Sequence, residues 1–210
     1  MKILLLGASG RTGQRIIRRA IAEGHEVVAY LRSPEKLAAR PHLQLVAGEL
    51  NDELKMLEAA EGCEAILVCL SASIHSLGQP LMTVAAQSVI KLARVHQIKR
   101  VIWLSALGVG ETIKNASYPF KFAVESIFSS PFKDYELGEG QLRASGLDWT
   151  TLHPGVLKDD RDYGPARLID ASSGYKVPGL PQPVNREFIA SEMLRMIDDE
   201  TSFKKRFVFD

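Results

Sequence analysis

The chain has 210 residues, 46% of them hydrophobic, with 26 Lys and Arg against 25 Asp and Glu for a formal net charge of +1. That apolar content is enough for one α/β core, and near-neutrality excludes the global positive field by which a protein collects nucleic acid or an anionic membrane. Cys63 and Cys69 fit neither C-x-x-C nor a zinc spacing, and no window nears the ~18 apolar residues of a membrane span, so the expectation is a reduced, cytoplasmic protein with no metal site.

Ile3 to Leu6 run without polar alternation into Gly7-Ala8-Ser9-Gly10-Arg11-Thr12-Gly13, and Ile16, Ile17, Ala20 and Ile21 follow at helical spacing. This pattern predicts a buried strand, a tight turn and a helix. Such a helix start offers unpaired N–H groups and a positive dipole end, and glycines let a phosphate reach the main chain. The spacing G-x-x-G-x-x-G is weak alone, because loops collect glycine, but here it follows the first strand and opens a helix. Arg15, Arg18 and Arg19 read as a solvated helix face, whereas Arg11 lies inside the glycine turn.

Glu26 to Leu31 is expected as strand two, and Ser33-Pro34 starts a short helix to about Ala39 with Ser33 as N-cap. Leu43 to Ala47 is strand three, Asn51-Asp52-Glu53 caps the next helix, and Ala65 to Leu70 is strand four. A long helix from Pro80 to His96 and strand five, Arg100 to Leu104, follow. A helix with a bulky face between Phe120 and Phe128 and another from Pro131 to Ser145 lead to Gly146 as C-cap and strand six, Trp149 to Leu152. Arg167 to Asp170 is a short strand, Asn185 caps a helix from Arg186 to Asp198, and Arg206 to Phe209 is a final edge strand. Strands separated by helices imply right-handed crossovers: a Rossmann-type, doubly wound parallel sheet in three α/β/α layers, with residues 1–210 forming one domain.

Ligands of an open parallel sheet lie beyond the carboxyl ends of its strands. The candidates there are Gly7 to Gly13, Arg32 and Ser33, Gly48-Glu49-Leu50, Ser71 to Ser76, Ser105 to Gly110 and His153 to Val156. Arg32 decides the cofactor: an acidic residue after strand two would bind a ribose diol, whereas arginine pairs with a 2′-phosphate. NADP(H) is therefore expected, with Ser33 as a second phosphate donor. The carboxylates Asp159, Asp160 and Asp162 have no histidines at metal spacing and read as a solvated loop.

Together GASGRTG, Leu31-Arg32-Ser33, Gly48-Glu49-Leu50, the run Leu142 to Thr150 and His153-Pro154-Gly155 resemble the atypical short-chain dehydrogenase/reductase group, and within it the NAD(P)-binding, NmrA-like and flavin reductase/biliverdin reductase B-like proteins. The resemblance covers nearly the whole chain. It implies that Gly7, Ser9, Gly10, Arg11, Thr12 and Gly13 hold the pyrophosphate, Arg32 and Ser33 the 2′-phosphate, and Gly48, Glu49 and Leu50 the adenine side. It further implies that Leu70, Ser71 and Ala72 line the adjoining ribose and that Pro154, Gly155 and Val156 meet the nicotinamide carboxamide. Glu49 departs from the usual aspartate.

The common Y-x-x-x-K pair is missing from this pattern: by alignment on Leu142 to Gly146, its tyrosine position holds Pro131 and its lysine position Tyr135. The catalytic candidates are then Ser105, read either as a group beside the hydride-donating carbon or as a strand-end hydroxyl bound to backbone, and His153, a hydrogen-bond donor or a packing residue where many relatives have arginine. A site so depleted suits an acceptor that needs little acid catalysis. The expectation is an NADPH-dependent oxidoreductase delivering hydride to a planar conjugated acceptor, a flavin, biliverdin-like tetrapyrrole or quinone, bounded by loops 107–120 and 156–182. The alternative is a catalytically weak NADP(H) sensor of NmrA-like type. Either is a monomer or homodimer.

Overall fold

Four apolar residues in a row leave a strand no face for water, and β1 (Lys2–Leu6) is accordingly an interior strand, with Ile3 to Leu6 fully buried. The computed structural model describes residues 1–71, 80–127, 129–159 and 166–210. In chain order its elements are β1, α1 (Arg11–Ala22), β2 (Glu26–Leu31), β3 (Leu43–Ala47), α2 (Glu53–Ala60), β4 (Ala65–Val68), α3 (Leu81–Val95), β5 (Arg100–Leu104), α4 (Phe120–Ile127) and α5 (Ser129–Ala144). There follow β6 (Asp148–His153), β7 (Leu157–Lys158), β8 (Leu168–Asp170), β9 (Val184–Asn185), α6 (Arg186–Arg195) and β10 (Lys205–Phe209).

Eight strands form one sheet in the order β3-β2-β1-β4-β5-β6-β10-β8, and β7 pairs with β9 beside it. All neighbours in the large sheet run parallel except β10 and β8. Alternation along the strands splits the core into two layers. Ile3, Leu5, Val27, Ala29 and Ile102 meet Ile16 and Ile17 of α1 and Ile189 and Met193 of α6, while Leu4, Leu6, Val28, Ile66 and Trp103 meet α2, α3 and Leu142 of α5. This is the Rossmann-type, doubly wound architecture expected from the sequence.

Two devices fix how the elements pack. Arg100 is buried and donates to the carbonyls of Met196 (3.1 Å) and Ile197 (3.2 Å) after α6, to Asp148 O (2.6 Å) and to Ser202 Oγ (2.7 Å). It thus satisfies carbonyls a helix end leaves open, and burial lowers its pKa to about 10. On the other face Gly138 lets α5 touch α3, since a Cβ there would lie 2.6 Å from Met82 O.

Four sequence expectations need correction. Ser33 makes no capping bond and the helix after it is only a 3-10 turn, Pro34–Lys36, because Ala38 to Pro41 return the chain to β3 at once. Strand four stops at Val68, and the next residue passes so close to Gly7 that a Cβ there would lie 2.5 Å from Cys69 O. β10 is not an edge strand: it lies between β6 and β8, a placement set by contacts far apart in sequence. The charged face of α1 is not simply solvated, as Arg15 lies 3.0 Å from Asp159 and Arg18 3.1 Å from Glu187.

Candidate functional site

The glycine turn is built from positions where a side chain has no room. Gly7 has φ +88°, and a Cβ there would sit 2.5 Å from Cys69 O; at Gly13 it would sit 2.3 Å from Gly7 O. Gly10 is different, with only Gly7 O at 3.2 Å, so its open side faces the ligand space. Gly10 is also the N-cap of α1, with no side-chain cap and no acidic residue in the first turn. The first N–H groups of α1 are therefore left to an anion.

From this turn a cavity of about 510 Å³ runs along the carboxyl ends of β1, β2, β3 and β4. Gly7, Ser9, Gly10, Arg32, Gly48, Glu49, Leu50, Leu70 and Ser71 line it, so nine of the sequence candidates share one wall. Its floor includes Tyr30, which sequence reading passed over: the Tyr30 hydroxyl donates to Glu49 O at 2.8 Å, and burial raises its pKa to about 12. Gly48 has the physical role of admitting that ring, since a Cβ would lie 2.1 Å from the hydroxyl oxygen. An exposed guanidinium at Arg32, a helix start without an acid and an apolar slot at Leu50, Leu70, Leu81 and Val84 together fit a dinucleotide.

The other candidates lie elsewhere. Thr12 and Gly13 are buried in the first turn of α1. Arg11 is turned to the surface, 3.0 Å from Asp159, whose carboxylate also meets Arg15 and Arg186 at 3.0 Å each; Asp159 is thus an ion-pair centre instead of a solvated carboxylate. Pro154 O accepts Leu107 N at 2.8 Å, Gly155 lies against Pro181, and Val156 O accepts Val184 N at 2.8 Å with its side chain exposed. The first contact joins the loops after β5 and β6, and the other two hold the segment after β6 against residues 181 and 184. Ala72, His75, Asp160 and Asp162 lie outside the described residues.

Ser105 ends β5, is 8% exposed, and donates its hydroxyl to the carboxylate of Glu139 in α5. Glu139 is 1% exposed, with Arg143 Nη1 3.5 Å and His153 Nε2 3.8 Å from its second oxygen. His153 is fully buried, the placement of the packing residue that was one of its two readings. Its Nδ1 lies 3.1 Å from Ala106 O, and a carbonyl only accepts, so the proton is on Nδ1 and Thr151 donates to Nε2 at 2.8 Å. Burial drives the His153 pKa down, and nearby Glu139 only partly opposes it. Glu139 was missed from sequence, although the stripe Tyr135, Glu139, Leu142 puts a carboxylate on an apolar helix face.

Among the described residues no group of His, Cys, Asp and Glu could hold a metal, and no helix is long and apolar enough to cross a membrane. A family model described as NAD(P)H-binding matches residues 7–200. A Bacillus subtilis (strain 168) protein named uncharacterized sugar epimerase YhfK is 25% identical over 217 residues, covering 99% of this chain and 92% of that one. Among solved structures, the short-chain dehydrogenase/reductase of Veillonella parvula DSM 2008 in complex with NADP aligns with TM-score 0.83 at 18% identity, over 99% of this chain and 93% of that one. The anaerobillin reductase ChuY of Escherichia coli O157:H7 aligns with TM-score 0.79 at 24% identity, over 100% and 96%. A glycine cradle, an uncapped helix start and a match spanning nearly every element lead to one conclusion: the chain belongs to the NAD(P)H-binding family, with the Rossmann fold of the short-chain dehydrogenase/reductases.

Proposed function

We propose that the protein is an NADPH-dependent oxidoreductase that reduces a planar conjugated acceptor. The observation that carries this reading is the cavity joining the glycine turn to Arg32 at the end of β2, a strand end whose own residues, Tyr30 to Ser33, include no carboxylate to bind a ribose diol, Glu49 reaching the cavity from the segment after β3. Gly7 to Gly13 would cradle the pyrophosphate, Arg32 and Ser33 the 2′-phosphate, Glu49, Leu50 and Tyr30 the adenine side, and Leu70 to Ala72 the adjoining ribose. Pro154 to Val156, fixed by Leu107 and Val184, would bound the nicotinamide side. NADPH, when bound, supplies a hydride.

Ser105 directly follows β5 at the carboxyl end of the sheet, and its own proton is committed to Glu139. Acid catalysis of carbonyl reduction is thus unsupported, and solvent delivers the later proton. This is the reason for naming an acceptor whose conjugated system takes hydride without prior protonation. ChuY, which shares the fold, is described as an anaerobillin reductase, and a tetrapyrrole is planar and conjugated.

The whole chain acts as one NAD(P)-binding domain in this reading, monomer or homodimer, with loops 107–120 and 156–182 around the acceptor. Two free, buried cysteines suit a reducing cytoplasm.

The second reading, an NADP(H) sensor of NmrA-like type, draws on the same committed Ser105 proton. Incubation of purified protein with NADPH and riboflavin, FMN, biliverdin or menadione separates the two. Sustained NADPH oxidation with one of them supports the reductase. No turnover, together with a large difference in affinity between NADP+ and NADPH, supports the sensor.

A further inference from the structure

A hydroxyl carries one proton and two lone pairs. The Ser105 proton is directed at Glu139, which is buried and has no solvent to take its place as acceptor. What that hydroxyl has left to offer a ligand is its lone pairs. Among the described residues no donor is spent on that oxygen, while the Ser105 backbone N–H is satisfied by Leu152 O at 2.8 Å. A catalytic serine that polarises a carbonyl must donate; this one is wired in the opposite sense.

We propose that Glu139 is a positioning residue that holds Ser105 as a hydrogen-bond acceptor, so that the site selects conjugated acceptors presenting an N–H over quinones, which present only oxygens. The proposal rests on the reductase reading of Ser105 and narrows its substrate class to molecules with an imide or pyrrole N–H. The polarity is held in place by the neighbours of Glu139. Arg143 stands 3.5 Å from the far carboxylate oxygen, and a guanidinium only donates. His153 Nε2, at 3.8 Å, is occupied by the Thr151 hydroxyl. Both leave the near oxygen to Ser105.

The same wiring predicts what Glu139→Gln does. The amide oxygen must stay beside Arg143, so the amide N–H₂ turns to Ser105 and frees the hydroxyl proton to point outward. The polarity of Ser105 is inverted with no change of volume.

Riboflavin and N3-methylriboflavin differ at the imide N–H alone and form the matched probe. Flavin fluorescence titrated against the full chain saturated with NADP+ reads binding without turnover. The wild type is expected to bind riboflavin about ten- to a hundredfold more tightly, and menadione to trail both riboflavin and biliverdin in kcat/KM for NADPH oxidation. A higher kcat/KM on biliverdin assigns the N–H to a pyrrole, and the reverse order to an imide; either supports the polarity. Glu139→Gln brings the two flavins within about twofold or reverses them and raises menadione relative to riboflavin. Ser105→Ala also abolishes the preference, and Glu139→Gln in that background changes nothing further.

Equal binding of the two flavins by the wild type, with menadione reduced as efficiently as riboflavin, overturns the polarity and leaves the reductase reading standing. A folded Glu139→Gln chain that keeps the wild-type preference overturns it too. NADPH binding without oxidation by any acceptor overturns both. The wild-type comparison of the flavins needs no variant, so it decides the matter even where a substitution fails to fold.

Discussion

Asp134, in α5, accepts the backbone N–H of Met82 from 2.7 Å and so caps α3, a helix whose own N-cap position holds Pro80 and provides no side-chain cap. Thr83 donates to the same carboxylate through its backbone N–H (3.0 Å) and hydroxyl (2.7 Å). The cap is thus delivered across a helix interface, one turn before Gly138 and Glu139. Asp134→Ala is expected to lower stability by about 1–2 kcal/mol in urea unfolding, with Asp134→Asn losing less because the amide keeps one acceptor. Because α5 also carries Glu139, the alanine variant should weaken the Ser105 site as well.

Arg32 lines the cavity, and Arg32→Asp replaces the proposed 2′-phosphate partner by a like charge. NADPH affinity should fall about tenfold to a hundredfold while NADH affinity stays within about threefold. Fluorescence titration of both dinucleotides checks this. Parallel losses count against the assignment.

Gly13 and Gly10 of the turn should separate fold from ligand. Gly13→Ala forces a Cβ to 2.3 Å from Gly7 O and should cost about 1–3 kcal/mol in stability. Gly10→Ala meets only Gly7 O, at 3.2 Å, and should fold with a loss under about 1 kcal/mol. Its methyl group lies on the ligand side, so dinucleotide affinity should drop sharply. Urea midpoints and NADPH titration of the two variants make the comparison.

Burial holds the His153 pKa below its ordinary value of 6.5, and Arg206 and Arg143 act in the same direction. The folded state therefore favours neutral imidazole, and below about pH 6.5 the unfolded chain binds the extra proton. The stabilisation from His153 is complete above that pH and is lost as pH falls towards the folded pKa, by at most about 1.4 kcal/mol per pH unit. Urea unfolding between pH 7.5 and 5.5 should show this slope in the wild type and a shallower one in His153→Gln. Identical slopes would remove His153 as its source.

What sequence made legible was contiguous. The strand, glycine turn and helix of residues 2–22 need only neighbours to define them, as do Arg32 after β2 and the Asn185 cap, whose side chain accepts Glu187 N at 2.8 Å. Glu139 could not be found that way, because its partner Ser105 is 34 residues distant and meets it only when α5 lies across the end of β5. Tyr30 and Gly48 are a similar case: a ring on one strand needs a missing side chain on the next segment. His153 was placed at the right strand end, but whether its ring faced a ligand or the interior depended on α5.

The position of β10 bears on how the chain is made. Strands β3, β2, β1, β4 and β5, with the whole glycine turn, are complete once residue 104 has been synthesised, yet the outer edge of β6 stays unpaired until residues 205–209 arrive. At about 5–20 residues per second that interval lasts roughly 3–10 s on a ribosome. A strand destined for the interior but left with an open edge is a template for wrong pairing, so aggregation during synthesis should concentrate at β6, and an early-formed dinucleotide cradle would wait on its last strand.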